Sequence, residues 1–205
     1  MSDLSSSLTD VRRAYRLIWG YQRRLMDMLQ VFEDEFPTHE FYAWSPLSFA
    51  RPTQLTTSPV HKWAWDALPF YKASFLYTVV GSDPNHHRGG EWLFEVTIDT
   101  DDVDFSTFKG EPDAAKFPDA EMTDSTVKLV AWKSTGNGTF NWYHDLWNRG
   151  EWPTTDDVAF TQPNYPVQSL SLTVRLDDLP DREAALALVA RFKAATSREL
   201  GLAHT

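Results

Sequence analysis

Three stretches of this chain hold side chains whose types and spacing suit chemistry. The first is Asp99-Thr100-Asp101-Asp102-Val103-Asp104. Clustered carboxylates bind hard cations through oxygen. Asp99, Asp101, Asp102 and Asp104 are therefore candidate metal ligands, with Glu95 as a further carboxylate, and the matching reaction class is metal-dependent hydrolysis. The spacing is not that of an EF-hand. That loop wants Gly at its sixth place and Glu at its twelfth, where Asp104 and Gly110 stand. A nuclease-like set would add a lysine from a neighbouring strand. Lys128 is the candidate, but Thr126 rather than an acid precedes it by two residues. The plainer reading is a solvated acidic loop.

The second stretch runs from Phe140 to Trp152 and packs Trp142, Tyr143, Trp147 and Trp152 around His144 and Asp145. Rings at this density serve either a local core or a recognition platform. As a platform, Trp142, Tyr143, Trp147, Arg149 and Trp152 are candidate contacts for a partner protein, or for a carbohydrate or other small ligand. His144-Asp145 resembles a base with its orienter, but sequence neighbours rarely hold that geometry. No nucleophile motif accompanies them, so no catalytic residue is assigned. The third stretch is His86-His87. In extended chain adjacent side chains point to opposite sides, so the pair reads as a hairpin tip beside Gly89-Gly90 rather than a joint metal site.

Composition narrows the field further. The chain has 205 residues and no cysteine, which excludes disulfides, thiolate nucleophiles and Cys-type zinc sites. No Gly-rich phosphate fingerprint is present, and no cofactor is expected. Formal net charge is −10. Between Asp83 and Asp124 twelve acids face three bases, a balance of −9. Phosphate binding depends on Lys and Arg, so nucleic acid is not an expected partner. The start of the chain lacks a signal-peptide pattern, and no apolar run approaches the roughly 20 residues of a membrane helix. The expectation is a soluble cytoplasmic protein without a membrane partner.

The elements that position these stretches follow from periodicity. Residues 1–8 are Ser-rich and read as frayed. A long helix is predicted from about Asp10 to Phe36, with apolar residues three or four apart and Pro37 as its stop. Arg12, Arg13, Arg16, Arg23 and Arg24 fall along its first part, and Glu33, Asp34 and Glu35 in its last turn. Two adjoining apolar stripes make a broad packing face. Residues 37–73 are proline- and ring-rich, with a short strand near 40–44 and then a wrapping loop. Clearer strands cover Ser74–Val80, Trp92–Asp99, Thr126–Trp132 and Leu170–Leu176. In Trp92–Asp99, Trp92, Phe94, Val96 and Ile98 alternate with Glu95, Thr97 and Asp99. Such alternation predicts one buried and one wet face. A closing helix runs from about Pro180 to Leu200, capped by Asp178 or Leu179, with Ala185, Val189 and Phe192 inward.

The predicted fold class is α+β. It is a single domain over residues 1–205, with an antiparallel sheet of about four to six strands. One face is covered by the N-terminal and C-terminal helices. The expected function is an acidic protein-binding module acting through a partner with a basic surface, in the manner of an inhibitor or toxin-immunity protein. Asp101, Asp102 and Asp104 join the ring residues as its candidate contacts. The alternatives are metal-dependent hydrolysis at Asp99–Asp104 and small-ligand or carbohydrate binding at Trp142–Trp152.

Overall fold

The computed structural model describes residues 4–47, 70–109 and 112–204, and the side chains from residue 8 onward. A 31-residue helix, α1 (Leu4–Asp34), precedes strands β1 (His39–Pro46), β2 (Lys72–Val79), β3 (Trp92–Asp99) and β4 (Thr126–Ser134). A π-helical stretch (Trp142–Trp147) follows, then β5 (Phe160–Thr161), β6 (Val167–Arg175) and the closing helix α2 (Arg182–Leu200). The strands form one six-stranded antiparallel sheet in the order β1-β2-β3-β4-β6-β5. This is the α+β arrangement expected from the sequence. The ring-rich loop expected before β2 lies mostly on 48–69, outside the described residues.

One sheet face meets the helices. Phe94 pairs with Ala131, and Ala131 with Leu170, so a row of apolar side chains crosses three strands. Leu25, Leu29 and Phe32 of α1, Phe36 just beyond its end, and Leu188, Val189, Phe192 and Ala195 of α2 close on that row. Phe32, Phe94 and Phe192 are fully buried, each worth roughly 1.5–3 kcal/mol of transfer free energy. α2 begins two residues later than its sequence signals suggest. Leu176–Asp178 forms a separate 3-10 turn, and the Asp181 side chain caps the helix by accepting from Ala184 N at 2.9 Å. At its other end Gly201 adopts φ +62°, where a side chain would be strained.

α1 begins at Leu4, inside the stretch read as frayed. Its inner contacts start at Tyr21, whose hydroxyl bonds Thr100 Oγ1 at 2.8 Å, and at Arg24, which donates to the Leu179 carbonyl. Every residue from Asp10 to Gly20 is exposed. Gly20 lies at the join between this outer half and the packed half. A methyl group there would meet nothing within 4 Å. Gly20→Ala is therefore expected to stabilise α1 by about 0.5–1 kcal/mol through helix propensity alone. Rising helical ellipticity and a higher urea midpoint would report it; an unchanged midpoint would mean that the outer half is uncoupled from unfolding.

The other sheet face corrects a sequence expectation. Alternation predicts it wet, yet Leu93 and Glu95 are wholly buried, Thr97 is 8% exposed and Ser171 is wholly buried. The reason is that the chain after β4 folds back. Trp142, Leu146 and Trp147 pack on Leu76, Leu93, Val130 and Trp132 as a second apolar cluster. Gly150 ends this return: a Cβ there would lie 2.5 Å from the Leu146 carbonyl oxygen.

Candidate protein-docking surface

The acidic loop does not assemble. Asp99 pairs with Lys72 at 3.1 Å and accepts from Asp101 N. Burial pushes its carboxyl up, and the lysine opposes that push. Asp101 accepts the Tyr71 hydroxyl at 3.0 Å, and Asp102 accepts Asp124 N at 3.0 Å. Asp104 caps the 3-10 turn Phe105–Thr107 by accepting Ser106 N at 2.9 Å, and the Ser106 side chain together with that backbone bond lowers its pKa. Each carboxylate therefore serves its own turn or strand end. Among the described residues no three His, Asp or Glu side chains are grouped to hold a metal ion. The metal ligand set read from the sequence is thus not brought together.

The ring segment divides. Asn141 caps the π-helical stretch, its side chain accepting from Tyr143 N and His144 N at 2.9 and 2.7 Å. That turn drives Trp142, 1% exposed, and Trp147, 8% exposed, inward. Those two rings are core and present no platform. Tyr143 and Trp152 are half-buried, and Arg149 is exposed beside Asp145 at 3.6 Å. Tyr143 stacks on Trp147, with centroids 5.3 Å apart. His144 and Asp145 do not form a base and orienter: the Asp145 carboxylate accepts Asn141 N at 2.8 Å instead.

Sequence reasoning missed what the inward rings hold. Trp132 Nε1 and Trp147 Nε1 each donate to Glu95 at 2.7 Å, one to each carboxylate oxygen. Thr97 Oγ1 donates to the same carboxylate at 3.3 Å and lies 2.8 Å from Ser74 Oγ. Burial pushes the Glu95 pKa up, against the pull of these donors. Lys128, one strand away opposite Thr97, donates to the Pro153 carbonyl at 3.0 Å rather than to Glu95. Burial lowers its pKa, with Asp156 and Glu95 opposing. A carboxylate with no exposed surface and both oxygens occupied braces the fold and is not placed to meet a substrate. The available signal was Leu93, Val130 and Trp132: three large apolar residues on a face that alternation reads as wet.

The hairpin tip behaves as adjacent histidines should. His86 is exposed and bonds Asp83 at 2.8 Å, while His87 turns inward, 3% exposed, against Phe140 and Trp142.

Among the described residues, the outer half of α1 is the exposed apolar surface that most needs explaining. Leu8, Val11, Tyr15 and Ile18 continue the same three-and-four spacing that buries Leu25, Leu29 and Phe32 further along the helix. Their exposures are 48, 49, 72 and 41%, and Leu17 and Trp19 beside them reach 74 and 70%. Arg12, Arg13, Arg16 and Arg23 stand around them. Arg13 pairs within the helix with Asp10 at 3.0 Å, and Arg23 with Asp27 at 3.3 Å. Contiguous exposed rings and aliphatics of this kind mark interaction sites. Among the described residues no helix is long and apolar enough to cross a membrane.

A family model described as PM0109 matches residues 1–201. A protein of Pasteurella multocida strain Pm70, "Uncharacterized protein PM0109", is 23% identical over 208 residues, covering 97% of each chain. No solved structure matches.

Proposed function

The chain belongs to the PM0109 family, and we propose that it works by binding another protein. The observation that carries this reading is the exposed stripe on the outer half of α1. A helix that buries one end of its apolar stripe on its own sheet and leaves the other end bare is built for a second surface. Its arginines suit a partner segment with acidic groups around an apolar patch. The acidic stretch 83–124 lies elsewhere on the chain and suits a basic surface on that partner. An inhibitor or toxin-immunity protein in the cytoplasm is one role of this kind. The hydrolytic and carbohydrate-binding alternatives gain no support, because the acids are dispersed and Trp142 and Trp147 are core.

The test places a photo-crosslinking amino acid at Leu17 or Trp19 in cells of the source organism, followed by mass spectrometry. The expected result is an adduct with one other protein. The double variant Leu17→Glu and Trp19→Glu should keep its melting temperature, since both side chains are exposed, and should lose the adduct. An adduct with a second copy of the chain, or none, would overturn the reading.

A further inference from the structure

Beside the hairpin tip, the chain between Val79 and Glu91 and the turn at Asn137–Thr139 enclose an open cleft of about 710 Å³. Ser82, Asp83, His87, Arg88 and Glu91 are among its lining residues. The buried imidazole of His87 determines what the cleft can receive. Its Nε2 lies 2.6 Å from the Phe140 carbonyl oxygen. A carbonyl only accepts, so Nε2 carries the proton and Nδ1 is left as an acceptor. That Nδ1 is buried and has no hydrogen-bond partner, and neither does the buried Ser82 Oγ. The Glu91 carboxylate stands 4.0 Å from Nδ1. It already accepts the backbone N–H of Arg88 at 3.1 Å and keeps further acceptor capacity. Burial holds the imidazole toward its neutral form, with Glu91 opposing.

Two acceptors 4.0 Å apart are bridged by one nitrogen at about 2.9 Å from each. That nitrogen must donate twice. A full negative charge on one of the two acceptors favours a cation over a neutral hydroxyl. We propose that this cleft receives a basic side chain, a lysine or arginine, from the protein partner, seated between His87 Nδ1 and the Glu91 carboxylate with Ser82 Oγ alongside. The assignment rests on the protein-binding reading above and gives the acidic part of the chain a defined point of contact.

The test uses the full chain with labelled histidine nitrogens. It is titrated with N-acetyl-lysine methylamide and N-acetyl-arginine methylamide, and with the norleucine analogue as the uncharged probe. The expected result is a saturable shift of the His87 Nδ1 resonance with a basic probe and none with norleucine. Glu91→Gln removes one charge-assisted bond and should weaken binding by roughly 10- to 100-fold. Ser82→Ala, a milder change at the same cleft, should weaken it less. No shift at high millimolar probe, an equal shift with norleucine, or unchanged affinity in Glu91→Gln would each overturn the assignment. Failure of the protein-binding reading looks different: it appears as absent crosslinking at α1, whatever the titration shows.

Discussion

Glu95→Ala is expected to lower the stability of the fold by about 3–5 kcal/mol, the sum of two buried donors left unpaired and a void left behind. Two terms add. The indole N–H groups of Trp132 and Trp147, each 2.7 Å from the carboxylate, lose their acceptor inside the second apolar cluster. An unsatisfied buried donor costs about 1–3 kcal/mol. The removed carboxyl also leaves a void beside Trp132, which is wholly buried. Glu95→Gln separates charge from volume. Glutamine fills the same space but offers one carbonyl oxygen and an amide that can only donate. One indole then faces a donor, at an expected cost of about 2–3 kcal/mol. Replacing the set together, with Glu95→Leu, Trp132→Phe and Trp147→Phe, should recover most of the loss, because no polar group is then left unpaired. Urea unfolding of the four proteins measures this. A Gln variant as stable as the parent would show that the carboxylate is not what the two indoles need.

Acid should destabilise the protein well above the range where carboxylates protonate, and His39 should be a main cause. Its ring is 6% exposed, lies among Phe36 and Trp92, and bonds Thr38 Oγ1 at 3.1 Å and the Trp92 carbonyl at 3.2 Å. Burial lowers its pKa from 6.5 to about 4; the bond to the Trp92 carbonyl pulls upward, and His204 adds to the lowering. A folded pKa below the unfolded one means that the unfolded chain binds more protons in between. Stability from this group is therefore complete above pH 6.5 and is lost as pH falls toward about 4. The loss is roughly 3 kcal/mol at 1.36 kcal/mol per unit. His87 and His204 are also lowered by burial and act in the same direction. Glu95, raised by burial, acts in the opposite direction above its ordinary range. The informative measurement is thus a difference: urea stability at pH 7.5 and 4.5 for the parent and for His39→Gln. The variant should lose much of the acid sensitivity. Equal pH dependence in both would remove His39 from the account.

Much of the fold was readable because it depends on local repetition. Apolar residues three and four apart define α1 and α2, and the alternation of Trp92, Phe94, Val96 and Ile98 defines the inner face of β3. The site residues were less readable. Asp101, Asp102 and Asp104 look like one cluster in sequence, but each carboxylate finds a separate donor or cap. Trp142 and Trp147 look like a platform until the turn capped by Asn141 rotates them inward.

By itself the sequence determined the two long helices, the main strands, their helix-facing apolar sides and the absence of thiol and disulfide chemistry, since these follow from residue type and period. Only the tertiary structure decided which faces meet something. A polar alternate face is wet until another segment covers it, and here residues 140–152 do so around Glu95. An apolar helical stripe is core only as far as the sheet beneath it extends. α1 outruns that support at Tyr21, so the same spacing that builds the core from Leu25 onward leaves Val11, Tyr15 and Ile18 in solvent.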